Sequence, residues 1–211
     1  MTGRRVTGLI GLGVLAFSWL GPLSELANQS FSAHMLMHVL VIAVAAPLIA
    51  VGLGAIGLDI DHRFGWLGSP VFASLLELVV VWAWHTPALH HVARTQGSLM
   101  ALEQASYLLV GLLIWLAALG GPHQDRSRVA AGIAGLLLTS MHMTLLGVLL
   151  AGADRALFAH ATAPWFGLSV LQDQQVGGVI MLVFGGVAYL AGALYLLSIL
   201  LRDKSHVTPL T

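Results

Sequence analysis

Long apolar stretches alternate with short polar or helix-breaking segments along the whole chain. A helix needs about 20 mostly apolar residues to cross a hydrocarbon core of ~30 Å. The pattern predicts six such helices, at Val6–Leu23, Ala33–Ile56, Pro70–Thr86, Ser98–Leu119, Val129–Ala151 and Val176–Leu201. No soluble domain or long linker separates them. We therefore predict an all-α, polytopic transmembrane helix bundle that forms a single domain over residues 1–211.

The composition supports a chain that lies in the lipid bilayer. Hydrophobic residues make up 58% of the sequence and charged residues 9%, whereas soluble domains carry roughly 25% charged residues. The net charge is zero, so no basic surface indicates a nucleic-acid partner. Cysteine is absent, which excludes disulfides, thiol catalysis and thiolate metal sites. Ten histidines and seven methionines remain, and imidazole with thioether suits copper.

Lysine and arginine positions predict the orientation of the bundle, because these residues collect in cytoplasmic loops. With a cytoplasmic N-terminus, only Arg94 and Arg155 fall on the outer side. The inner side then holds Arg4, Arg5, Arg63, Arg126, Arg128, Arg202 and Lys204. We therefore predict that both termini are cytoplasmic.

With this topology, histidines on three predicted helices lie in the outer half of the membrane. They are His34, His38, His85 and His142. His34 and His38 are four residues apart, which places them on one helix face about 6 Å apart. Polar side chains inside membranes are costly and tend to mark function. The cluster therefore predicts a metal site.

Three methionines are candidate auxiliary soft ligands in this region. Met37 shares a helix face with His34, and Met141 and Met143 flank His142. Methionine is also an ordinary apolar filler of helix bundles, and that alternative stays open.

The other histidines are expected at surfaces. We place His90, His91 and His160 in outer loops, and His62, His123 and His206 on the inner side. Glu77 lies inside the third predicted helix, about 12 Å from His85 along the axis. A carboxyl group there serves either a proton relay or a structural hydrogen bond, and the sequence leaves both open.

Three segments resemble the motifs of a known family. His34-Met35-Leu36-Met37-His38, followed by Ala45-Ala46-Pro47-Leu48, resembles its paired histidines before an Ala-Pro run. Trp82-Ala83-Trp84-His85-Thr86-Pro87-Ala88-Leu89 resembles its Trp-x-Trp-His-x-Pro-x-Leu motif. Residues 171–181 resemble its Asp-Gln-Gln-x-x-Gly-x-x-Met motif. The family is the polytopic CtaG-type cytochrome c oxidase assembly factors, and the resemblance extends over about residues 30 to 200.

The resemblance implies a multi-pass protein of the bacterial inner membrane that helps to mature a haem–copper oxidase, through copper handling. The positions carried over are His34, His38, His85, Asp173, Gln174 and Gln175. Two features depart from the family. Seven spans are common there and we predict six here, and Glu103-Gln104 stands where Glu-His is common.

Our leading hypothesis is a non-enzymatic assembly factor that binds or delivers copper through His34, His38, His85 and His142. Asp173 is expected to orient a ligand imidazole. The expected partners are oxidase subunits or a copper chaperone. The first alternative is a haem-b electron carrier with paired axial histidines. The second is a transporter of a small cation, such as copper, that uses Glu77. A hydrolase is least favoured, because Gly-x-Ser-x-Gly and His-Glu-x-x-His motifs are absent.

Overall fold

The computed structural model describes residues 2–54, 65–120, 125–158 and 164–202. The structure is 90% helical and these residues contain no strand, which confirms the predicted all-α class. The α-helices are α1 Thr2–Leu20, α2 Pro22–Gln29, α3 Phe31–Val39, α4 Ala46–Gly54, α5 Pro70–Trp84, α6 Pro87–Thr95, α7 Gly97–Leu119, α8 Arg126–Ala151, α9 Val170–Ile180 and α10 Gly186–Arg202. The predictions for His62, His123, His160 and His206 lie outside the described residues.

Four continuous helical segments are long and apolar enough to cross a membrane, which confirms a polytopic bundle. They are Phe31–Gly54, Gly97–Leu119, Arg126–Ala151 and Val170–Arg202. Two further spans are possible if each of two bent helix pairs crosses the membrane as one unit, so the described residues hold four to six spans. The predicted first and third helices correspond to the first member of each pair.

Both bends lie at prolines. The α1–α2 pair bends by 48° at Gly21-Pro22, and the α5–α6 pair by 71° at Thr86-Pro87. Proline has no N–H to donate, and its ring pushes the preceding residue out of the helical region. Thr86 is accordingly extended, with ψ 136°. Helix α5 thus ends at Trp84 after 15 residues, or ~22 Å of rise. Helix α6 then continues at an angle of 71° to it.

A π-helical segment, Leu40–Ala45, joins α3 to α4 directly before Pro47. In this register each N–H bonds the carbonyl five residues back, and the Ala46 N–H donates to the Val41 carbonyl. The Ile42 carbonyl therefore faces Pro47, which has no N–H. It accepts instead from Trp115 Nε1 on α7 at 3.1 Å, and the Tyr189 hydroxyl oxygen on α10 lies 3.4 Å away. These contacts connect the centre of this span to two neighbouring helices.

Glycine lets α8 and α9 approach closely. A Cβ added at Gly178 lies only 2.4 Å from the Ala151 backbone nitrogen, and one at Gly147 only 2.7 Å from the Leu182 nitrogen. Helices in lipid use small residues for such backbone contacts. Helix α8 also packs against α5, α7 and α10, so it contacts four other helices.

Asp125 caps the N-terminal end of α8. Its Oδ1 accepts from the Ser127 N–H and hydroxyl and from the Arg128 N–H. The Ser127 hydroxyl makes the largest contribution in holding the pKa of Asp125 below its ordinary range. An aspartate here also stabilises the positive end of the helix dipole. The cap accounts for α8 beginning three residues before the predicted Val129.

Candidate metal centre

Buried Asp173 joins the start of α9 to the start of α3. Its carboxylate accepts hydrogen bonds from the Phe31 N–H at 2.6 Å, the Ser32 N–H at 3.3 Å, the Ser30 hydroxyl at 2.8 Å and the Ser32 hydroxyl. The first N–H groups of a helix have no partner within it, and a carboxylate satisfies them. We predicted that Asp173 orients an imidazole. Its hydrogen bonds among the described residues go to residues 30–32, so it holds the start of α3 in place, and a contact with an imidazole stays a prediction.

His38 and His85 face each other in the interior, two turns along α3. Their ring centroids are 5.5 Å apart, and His38 is fully buried. His85 Nδ1 lies 2.7 Å from the Val81 carbonyl, so Nδ1 carries the proton and Nε2 keeps its lone pair. That Nε2 lies 3.5 Å from the sulfur of Met35. Tyr107 packs on the His38 ring at 4.1 Å. Two imidazoles and a thioether thus meet in one buried place.

Neither nitrogen of His38 has a hydrogen-bond partner among the described residues. A buried polar atom without a partner is costly, and nearly all such atoms in proteins are paired. The arrangement therefore leaves at least one donor atom of His38 available to a bound ion.

A second buried cluster surrounds His34, one turn nearer the start of α3. Arg94 Nη1 donates to His34 Nδ1 at 3.0 Å, and Arg94 Nη2 forms an ion pair with Glu103 Oε2. His34 Nε2 lies 3.5 Å from Glu103 Oε1. The His90 ring packs edge-on against His34 with centroids 4.9 Å apart. His34, His90 and Glu103 each offer one ligand atom, and these atoms lie within 4.8 Å of one another.

Helix α6 supplies two members of this cluster because of the bend at Pro87. His90 and Arg94 are four residues apart, so they share the face that α6 turns inward. The prediction of a surface position for His90 was wrong: it is 1% exposed and packs against Phe31 and Phe158, with centroids 5.5 and 4.7 Å away. His91 is exposed, as predicted.

Gln174 and Gln175 bind the chain that follows α8. Gln174 Oε1 accepts from the Leu157 N–H at 2.7 Å, and its Nε2 donates to the Arg155 carbonyl at 3.4 Å. Gln175 Nε2 donates to the Ala153 carbonyl at 3.0 Å. The two amides therefore fix a loop against the bundle, and their described hydrogen bonds include none to a histidine.

His142 and the three predicted methionines have no described side-chain contact with the His38–His85 pair. His142 is 4% exposed, and neither of its nitrogens has a hydrogen-bond partner among the residues described. Met143 is buried in the main apolar core, and Met37 packs with Leu23 in a smaller apolar cluster. Met141 is 68% exposed on the outside of the bundle. The described contacts do not join these residues to His38 or His85.

Glu77 is fully buried and both of its oxygens are bonded. Oε1 accepts from the Tyr189 hydroxyl, and Oε2 lies 3.0 Å from the Thr139 hydroxyl. Thr139 is also 2.8 Å from the Ser74 hydroxyl. These bonds join α5, α8 and α10, and both the structural hydrogen bond and the proton relay stay predictions for Glu77.

Met35, His90 and Arg94 are members of the clusters that sequence reasoning missed. Met35 lies three residues before His38, so the spacing rule that selected Met37 beside His34 applies to it equally. His90 and Arg94 share an i, i+4 spacing in a short segment after a proline. This helical spacing was present in the sequence, but the segment had been assigned to an outer loop.

The chain matches the family model of the cytochrome c oxidase caa3 assembly factor (Caa3_CtaG) over residues 1–203. No curated protein and no solved structure matches the chain.

Proposed function

Because the chain belongs to the cytochrome c oxidase caa3 assembly factor family, we propose that it assists oxidase maturation by binding copper as cargo between His38, His85 and Met35. The observation that supports this most is the buried His38 ring, with both nitrogens unpaired among described residues, beside the open Nε2 of His85. The role is that of a non-enzymatic metallochaperone in the bacterial plasma membrane. Its partners are oxidase subunits and a copper chaperone.

The donor atoms fit Cu(I). Soft thioether ligands select Cu(I), and imidazole serves copper as well. The Val81 carbonyl fixes the His85 tautomer and so aims Nε2 at the Met35 sulfur, as second-shell carbonyls do in metal sites. A dry setting of buried side chains protects a bound Cu(I) from solvent. His142 stays a predicted ligand, although its described contacts do not connect it to His38, His85 or Met35.

Competition for Cu(I) tests the proposal. Purified wild-type protein in detergent is titrated against a chromophoric Cu(I) chelator, and His38→Ala, His85→Ala and Met35→Leu are compared with it. We expect the two histidine variants to lose binding by at least about tenfold. The control variant His91→Ala changes an exposed histidine and is expected to bind like wild type. Unchanged binding in both His38→Ala and His85→Ala would refute this site.

A second readout follows the oxidase itself. A caa3-type oxidase is co-expressed with each variant, and its copper content is measured after purification. His38→Ala is expected to lower the copper of the oxidase, and His91→Ala is not. An absorption spectrum of the purified assembly factor tests the haem alternative. A Soret band that is present in wild type and absent in His38→Ala would refute the copper proposal in favour of haem b.

A further inference from the structure

The positive charge of Arg94 lies among three buried side chains that are able to bind a metal ion, those of His34, His90 and Glu103. We propose that His34, His90 and Glu103 form a second metal site, selective for a divalent cation, and that the Arg94 guanidinium keeps this site closed in the metal-free protein. The inference uses none of the ligands of the Cu(I) site proposed above and goes beyond it, so either site can fail without the other.

The geometry is close to that of a metal centre. A tetrahedral ion with bonds of about 2.0–2.2 Å spaces its ligand atoms at about 3.4 Å. His34 Nε2 and Glu103 Oε1 are already 3.5 Å apart, and the three ligand atoms all lie within 4.8 Å of one another. The three side chains are buried and come from α3, α6 and α7. Shortening these separations from at most 4.8 Å to about 3.4 Å therefore completes the set.

The donor chemistry differs from that of the Cu(I) site. Two imidazoles and one carboxylate make a nitrogen and oxygen set, which suits Zn²⁺ or Cu(II) better than Cu(I). The neighbouring set contains a thioether in place of the carboxylate. One turn of α3 thus separates a harder site at His34 from a softer one at His38.

Arg94 closes the site in two ways. Its positive charge neutralises Glu103 through the ion pair and repels an incoming cation. It also fixes the tautomer of His34. A guanidinium only donates, so His34 Nδ1 must accept, and the proton of the neutral ring lies on Nε2. Nε2 is the atom that faces Glu103, and it has no lone pair for a metal while Arg94 stays in place.

Opening the site therefore needs Arg94 to withdraw and the His34 proton to move from Nε2 to Nδ1. Arg94 and His90 lie on the same short helix, α6, between the bend at Pro87 and the start of α7. A movement of this helix changes the position of one ligand and of the closing cation together.

Calorimetric titration with Zn²⁺ alone, on protein in lipid nanodiscs, tests the proposal. Arg94→Gln is expected to bind Zn²⁺ at least about tenfold more tightly than wild type, because a buried positive charge is removed. Arg94→Lys retains the charge and is expected to stay near wild type. Adding His90→Ala to Arg94→Gln is expected to abolish the gain, whereas adding His91→Ala is not. Cu(I) affinity is expected to be unchanged in His90→Ala.

Equal Zn²⁺ affinity of wild type and Arg94→Gln would overturn the closing role, and full affinity in the double variant with His90→Ala would overturn the site. If Arg94→Gln does not fold, the wild type decides through ¹⁵N spectra of its histidines. We expect His34 to carry its proton on Nε2 without metal and on Nδ1 at saturating Zn²⁺. An unchanged His34 tautomer at saturation would overturn the proposal.

Discussion

Replacing Asp173 with alanine removes the acceptor that holds the start of α3 against α9. Wild-type Asp173 accepts from two backbone N–H groups, of Phe31 and Ser32, and from the hydroxyls of Ser30 and Ser32. The two hydroxyls already lie 3.1 Å apart and can bond each other when the carboxylate is lost. The two N–H groups have no such replacement, so they stay buried and unpaired in the variant.

The cost follows from these two bonds. A hydrogen bond to a charged group contributes about 1.5–3 kcal/mol, and an anion at a helix N-terminus adds about 0.3–1 kcal/mol. Relief of carboxylate burial offsets part of this. We therefore expect Asp173→Ala to lower the free energy of unfolding by about 3–5 kcal/mol. At about 2–4 °C per kcal/mol for a chain of this size, Tm falls by about 6–20 °C.

Thermal unfolding in detergent measures this change, with the exposed Asp154→Ala as the matched control. Asp173→Ala is also expected to leave the Cu(I) affinity of the folded fraction unchanged at low temperature, since the carboxylate touches no histidine among its described contacts. A Tm within 2 °C of wild type, roughly the effect of a 1 kcal/mol change, would refute the capping role. Loss of Cu(I) affinity with an unchanged Tm would instead restore the prediction that Asp173 orients a ligand.

Three further predictions concern a helix contact, a buried hydrogen bond and a helix cap. Gly178→Ala places a methyl group against the backbone of α8 and is expected to destabilise by about 1–3 kcal/mol. Gly13→Ala meets no atom within 4 Å and is expected to stabilise by up to about 1 kcal/mol; equal Tm values for the two would contradict this contact. Tyr189→Phe removes a donor to a buried carboxylate and is expected to cost about 1–3 kcal/mol, whereas the exposed Tyr195→Phe is expected to be neutral in the same unfolding assay. Folding lowers the pKa of Asp125, so this residue stabilises the fold above pH 3.8, its ordinary pKa, and the stabilisation is lost as the pH falls below that value. The stability of Asp125→Asn is therefore expected to lose this part of the pH dependence. A pH dependence identical to that of wild type would count against the cap.

The hydrophobic pattern predicted most of the fold because membrane helices must satisfy their backbone internally and cover it with apolar side chains. The predicted Ser98–Leu119 corresponds to Gly97–Leu119 in the structure. The hydrophobic pattern failed where a proline changes the direction of the chain. Thr86-Pro87 turns the chain by 71°, and the following nine residues, expected as an outer loop, form a helix. An apolar count does not register such a turn.

The candidate site was predicted in part. His34, His38 and His85 were named, and the structure buries all three in or beside α3. The sequence did not reveal which helices are neighbours, and a single-helix spacing rule cannot do so. The contacts of Met35 with His85 and of His90 with His34 therefore became visible only when α5, α6 and α7 were placed around α3.

X-ray absorption of the Cu(I)-loaded protein tests the central claim most directly. Wild type is expected to show nitrogen ligands with one sulfur ligand. Met35→Leu is expected to lose the sulfur signal, whereas Met37→Leu and the exposed Met141→Leu are expected to keep it. A sulfur signal that persists in Met35→Leu, or a copper environment unaffected by His38→Ala, would contradict the proposed copper site.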